Sequence, residues 1–182
     1  NFRVSGHDVK NPKVLFDLLR RMKHITHLDL SNTKLNYIPA SVQHMKNLKV
    51  LDLSGNNLRF LPYEIGNLES LEKLVLGTET NPGNNIYELP GSFSRLTNLR
   101  ELHMANNDCV VFPFELAKMP FLSVLDLSNN KLTSIPQEIG MMRGLTNLNV
   151  SNNNLKSVPQ GLGNLQNLIN FQYAGNPLSP AQ

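Results

Sequence analysis

The side chains able to act as nucleophiles, proton carriers or metal ligands are few. The one cysteine, Cys109, follows Asn107-Asp108 at a place where related segments carry an aliphatic residue. That context reads as a small buried hydrophobe rather than a nucleophile. The histidines stand at 7, 24, 27, 44 and 103. His24 and His27 are close in sequence, but no second ligand pair joins them as a metal site would require. There is no Gly-rich phosphate loop, no His-Glu-x-x-His and no Gly-x-Ser-x-Gly. The expectation is therefore a protein that is not an enzyme and uses no cofactor. What remains is a charged group in two segments: Glu72, Lys73 and Val75, then Arg100, Glu101 and His103. A short insertion containing Thr78 and Glu79 lies between them.

The elements that would position this group follow from a repeat. The phrase Leu-x-x-Leu-x-Leu-x-x-Asn-x-Leu-x-x-Leu-Pro recurs along the chain. One copy runs Leu48, Leu51, Leu53, Asn56, Leu58, Leu61 and Pro62. Two others open at Leu122 and Leu145, with Pro136 and Pro159 in register. The second apolar residue of each copy falls at 28, 51, 74, 102, 125, 148 and 171, so the step is 23 residues except for one step of 28. Leu51-Asp52-Leu53 alternates apolar and polar, as a half-buried strand does. The Asn after each strand sits where the chain turns, and its amide can satisfy backbone groups that the turn would orphan. Asn56, Asn84, Asn107, Asn130, Asn153 and Asn176 thus predict a ladder, weakened where Thr33 stands in place of Asn. The Pro fixes φ and ends the extended run. Segments such as Ile65-Gly66-Asn67-Leu68 then return the chain as a short helix or 3₁₀ turn.

One such unit cannot bury its own apolar edge, so the units must stack. The reading is a single domain over 1–182. Residues 1–24 form a degenerate N-terminal repeat, 25–167 six repeats, the third with a five-residue insertion, and 168–182 a partial C-terminal repeat. Apolar residues at 14, 15, 18, 19 and 22 predict a helix in the first unit. Both ends read as cut from a longer protein. The charge balance of 17 basic against 14 acidic residues carries no basic stripe for nucleic acid. Arg20, Arg21 and Lys23, the densest basic group, read as a solvated face. No apolar run is long enough to span a membrane.

The repeated phrase, with its Leu-Pro-x-x-Ile-Gly-x-Leu tail, resembles the leucine-rich repeat family, and within it the Ras-related intracellular type. The resemblance covers residues 25–178. It implies an α/β solenoid: a curved right-handed superhelix with a parallel sheet on the concave face and short helices or 3₁₀ turns on the convex face. It also implies a non-catalytic scaffold that binds a protein or peptide on the concave face. A Ras-like GTPase or phosphatase is the partner suggested, in the cytoplasm. The recognition domain of a larger enzyme, such as a Roco-type kinase or pathogen effector, and a cell-surface recognition array are the alternatives.

The concave face carries the strongest local signal. Between the last two apolar strand positions stand Asp29, Asp52, Val75, His103, Asp126, Asn149 and Gln172. Val75 and His103 break an acidic or amide row, and the insertion Gly77 to Gly83 falls beside them. Loops often carry contacts. The expected partner site is Glu72, Lys73, Val75, Thr78, Glu79, Arg100, Glu101 and His103. An imidazole set beside Glu101 predicts affinity that changes between about pH 5.5 and 7.5. Tyr37, Phe60, Tyr63 and Phe114 fall outside the core pattern, and packing on neighbouring loops is the expectation for them.

Overall fold

The computed structural model describes residues 1–4 and 6–180. Among them one sheet runs in chain order: β1 (Phe2–Arg3), β2 (His27–Asp29), β3 (Val50–Asp52), β4 (Lys73–Gly77), β5 (Glu101–Met104), β6 (Val124–Asp126), β7 (Asn147–Asn149) and β8 (Asn170–Gln172). Every neighbouring pair is parallel, with Leu28, Leu51, Leu74, Leu102, Leu125, Leu148 and Phe171 in one row. The 23-residue step sets this register: each coil returns its second apolar residue to the same height. Leu51 and Leu53 are fully buried while Asp52 between them is half-buried on the outer face. That is the two-residue alternation of a pleated strand.

The opposite side is a column of six 3₁₀ turns: Ala40–His44, Tyr63–Asn67, Gly91–Arg95, Phe114–Lys118, Gln137–Met141 and Gln160–Asn164. Each starts directly after a proline with φ between −65° and −75°. The ring holds the chain extended at that point and then lets it turn. The first coil uses an α-helix instead, α1 (Pro12–Leu19), capped by Asn11, whose side-chain oxygen accepts the Val14 N–H. Its buried residues are Pro12, Phe16 and Leu19. Val14 and Leu18, part of the apolar spacing that predicts the helix, are 63% and 56% exposed. The helix packs by the Phe16 and Leu19 side, so only part of its apolar set meets the core.

Between sheet and turns runs the asparagine ladder. The Asn130 side-chain oxygen accepts the Cys109 N–H at 3.0 Å, and its amide donates to Met104 O and Leu127 O, both at 3.0 Å. Asn56, Asn84, Asn107, Asn153 and Asn176 make the same kinds of bond, joining each coil to the one before. Thr33 does not break the ladder. Its hydroxyl donates to Leu30 O at 2.8 Å and approaches Asn56 Oδ1 at 3.0 Å. The residue before each ladder position turns the chain with positive φ: Asn32, Gly55, Asn106, Asn129, Asn152 and Gly175. Asn and Gly are the residues that enter this region at least cost. In the third repeat Gly83 holds that place without a positive φ, because the insertion has changed the turn.

Candidate functional site

The row of Asp and Asn on the outer face of the sheet has a local job. The Asp52 carboxylate accepts the Ser54 N–H at 2.9 Å and the Ser54 hydroxyl at 2.7 Å. Asp29 with Ser31, Asp126 with Ser128, and Asn149 with Ser151 repeat this pairing. Each closes the turn two residues beyond the strand. In the middle of the array the pair is replaced as a unit. Gly77 stands two residues after Val75, and Ala105 two after His103, so neither can form it. The acidic and amide row that Val75 and His103 interrupt is thus a set of turn locks, missing at β4 and β5 and again at β8, where Ala174 stands two residues after Gln172.

What replaces the locks is a longer pairing. β4 extends to Gly77 and β5 to Met104, with a register shift after Val75 that sets Gly77 opposite Met104. Two close approaches require glycine. A Cβ on Gly77 would lie 2.0 Å from Ala105 O, and one on Gly83 would lie 1.8 Å from Asn106 O. Both ends of the insertion therefore press backbone on backbone. The loop is tied on both sides: Asn106 Nδ2 donates to Thr78 O at 2.7 Å, and the Gly55 N–H donates to Pro82 O at 2.8 Å. Within it, the Thr78 hydroxyl accepts the Asn81 N–H. The insertion is a fixed feature bridging the coils of β3 and β5, with Glu79 on its exposed part.

Beside the register shift lies a charged network. Glu101 Oε2 is 3.0 Å from His103 Nε2 and 3.6 Å from Lys73 Nζ across the strand pair. The hydrogen bond to His103 outweighs partial burial and, with the Lys73 charge, holds the Glu101 carboxyl below its usual range. Glu101 is thus a fixed anion between a cation and an imidazole. Its side chains can donate to and accept hydrogen bonds from polar or charged groups. The Cys109 thiol is fully buried with its Sγ 3.6 Å from Ile86 O, and burial first, then the Asp108 charge, pushes it up to about 12. Among the described residues no group of three His, Cys, Asp or Glu side chains could hold a metal ion.

The structure brings together Lys73, Glu101 and His103, and it does not bring the remaining expected residues into that network. Val75 faces the same side but is 6% exposed, set in register between Asp52 and His103. Little of its surface is left for a partner to touch. Arg100 turns away: its guanidinium donates to Thr97 O and Leu99 O and lies 5.5 Å over the Phe121 ring. Glu72 is exposed beside the network, and its carbonyl accepts the Arg100 and Glu101 N–H groups.

A second surface carries exposed aromatic and aliphatic residues. Tyr37, Phe60, Tyr63 and Phe114 do not pack beneath neighbouring loops as expected; all four are exposed. Tyr87, Val110 and Val111 join them. Outside the core pattern, each early repeat places at least one large apolar residue between the ladder position and the following proline (Tyr37, Phe60, Tyr87, then Val110 with Val111), beside a polar Asn36, Arg59 or Glu88 in the first three, where the last two repeats carry only Thr133, Ser134, Lys156 and Ser157.

Comparison with known proteins agrees with this architecture. A leucine-rich repeat region matches residues 8–111, and a leucine rich repeat family matches residues 118–178. No curated protein matches the chain. Among solved structures it is similar to a plant peptide hormone receptor, RGFR1 in complex with RGF2, at 28% identity and TM-score 0.72, over 87% of this chain and 26% of that one. A leucine-rich repeat protein of Leptospira interrogans gives 31% identity and TM-score 0.53 over 99% of this chain and 56% of its own. Internalin C2 of Listeria monocytogenes, at 20% identity and TM-score 0.77 over 100% and 72%, shares the fold. The chain thus spans less than two thirds of the first two. Repeat arrays of this kind generally mediate protein–protein interaction and are typically non-catalytic. Repeat phrase, parallel sheet, asparagine ladder and matched segments converge: the chain belongs to the leucine-rich repeat family.

Proposed function

We propose that this array is a non-catalytic interaction module that binds a protein or peptide on the outer face of β4 and β5. The observation that carries this reading is the Lys73–Glu101–His103 network, set where the turn locks are missing and the insertion is anchored. Bulges and register shifts concentrate at functional sites because they re-aim side chains. Glu72 and the Thr78–Glu79 end of the insertion flank the network and complete the proposed contact surface. A Ras-like GTPase or phosphatase partner and a cytoplasmic setting rest on the resemblance of the repeat tail alone. A second reading is recognition for a larger protein, since the chain spans only 26% and 56% of two similar structures, one of them a peptide hormone receptor.

The test is paired affinity capture from source cells with the wild-type chain and a Glu101→Ala/His103→Ala variant, read by mass spectrometry. Both substitutions lie on the outer face and leave the core untouched. A partner captured by the wild type and lost from the variant supports the site. A partner held equally by both removes it.

A further inference from the structure

Beside the third and fourth prolines the exposed apolar residues line a groove of about 480 Å³. Its walls include Tyr87, Val111 and Phe114, and two carboxylates, Glu88 and Glu115, stand among them. Val111 is 74% exposed. The volume lies within the range of sites that enclose a side chain or small ligand. Large exposed apolar residues gathered in one patch mark contact surfaces. Neither Glu88 nor Glu115 takes part in an ion pair among the described residues, whereas Asp108 nearby is paired with Lys131 at 3.1 Å. Lys118 lies 5.9 Å over the Phe114 ring and is not part of the lining. The groove is therefore apolar, with uncompensated negative charge.

We infer that this groove is a second docking site, separate from the outer face of the sheet, for a peptide segment carrying a Lys or Arg flanked by large apolar side chains. The occupant follows from charge complementarity. A basic side chain meets Glu88 and Glu115, and its apolar neighbours cover Tyr87, Val111 and Phe114. An acidic segment would bring like charges together, and a wholly apolar one would desolvate two carboxylates without a partner. The polar residues at the matching places of the last two repeats, Thr133, Ser134, Lys156 and Ser157, confine the site to the earlier part of the array.

The test uses a phage-displayed library of random short peptides selected on the intact chain. Recovered peptides are measured by isothermal titration against the wild type, Val111→Ser, Glu88→Gln/Glu115→Gln and Glu101→Ala. All these substitutions are on exposed or half-buried side chains, and equal urea midpoints establish that each variant is folded. The proposal expects enrichment of basic residues next to aromatic or aliphatic ones. It expects affinity about tenfold weaker for Glu88→Gln/Glu115→Gln, several-fold weaker for Val111→Ser, and unchanged for Glu101→Ala. Four results overturn it. They are recovery of acidic or charge-neutral peptides, affinity insensitive to both groove variants, loss of binding in Glu101→Ala alone, and no enrichment. The last, with concentration-dependent self-association in sedimentation that Val111→Ser abolishes, would assign the groove to a second copy of this chain.

Discussion

Replacing Asn130 by Ala tests the ladder at a buried rung. The residue is 8% exposed and makes three good bonds, two to the preceding coil at the Cys109 N–H and Met104 O and one within its own coil at Leu127 O. Their loss is unequal. Leu127 O keeps the Asn153 amide at 3.0 Å, and Met104 O keeps a long contact from Asn107 at 3.4 Å. The Cys109 N–H has its acceptor in Asn130 and lies under a fully buried residue. An orphaned buried donor costs about 1–3 kcal/mol, and each of the two other lost bonds about 1 kcal/mol or less, so the total is about 3 kcal/mol. This is a large part of the stability of a domain of this size. Asn130→Thr should recover about 1 kcal/mol. Its hydroxyl can donate to Leu127 O, as Thr33 donates to Leu30 O three residues back, but it cannot reach the Cys109 N–H. Asn176→Ala should cost less, about 1–2 kcal/mol, because water can replace its bond to the exposed Tyr173, while the N–H of buried Leu155 loses its acceptor. Urea unfolding followed by circular dichroism gives the three values, with the slope checked for each variant because repeat arrays can lose cooperativity. Asn130→Ala within about 0.5 kcal/mol of wild type, or Asn176→Ala costing as much, would refute the reasoning.

Other outcomes follow from the same structure. Leu125→Ala should lose about 2–5 kcal/mol in urea unfolding, since Leu125 is buried in the middle of the apolar row. Gly77→Ala and Gly83→Ala should each cost about 1–3 kcal/mol, because the added carbon meets a backbone carbonyl that cannot move aside. Gly91→Ala, with open space around its Cβ, is the control and should be near neutral. Cys109 should resist iodoacetamide in the folded chain at pH 8 and react once urea unfolds it, because its thiol is pushed up to about 12. The Glu101 carboxyl is held below its ordinary value of 4.5 in the folded chain. Its contribution to stability is therefore complete above that value and disappears as pH falls through the lowered one. A wild-type minus Glu101→Gln difference should appear at pH 7 and vanish in strong acid. Screening at this partly exposed site keeps it to about 0.5 kcal/mol or less.

The amino-acid sequence by itself determined the architecture, because the repeat is a short-range code. Leu51 and Leu53 can bury together only if the strand faces a core, Asn56 can satisfy its amide only at a turn, and Pro62 cannot continue the strand. Six near-copies of those demands have one common solution, a stack. The register, the prolines before the 3₁₀ turns and the ladder were all legible in this way. Less legible was what each outer side chain does. The row containing Asp52 gave no sign of its turn-locking role, because the bond to Ser54 exists only once the turn has formed. Val75 sits in the same column as Asp52 and His103, yet it is almost fully buried. Arg100 stands one residue from Glu101, yet its long chain reaches the opposite way, to Thr97 O, Leu99 O and Phe121. Val14 and Leu18 had the spacing of a buried stripe, but α1 meets the core along Phe16 and Leu19. Tyr87 and Val111 had no neighbour to cover them. Those choices belong to the tertiary structure, because they depend on which side chains lie a full coil away and how much room they leave. A periodic pattern places an atom's neighbours in register but does not set the rotamers and gaps between them.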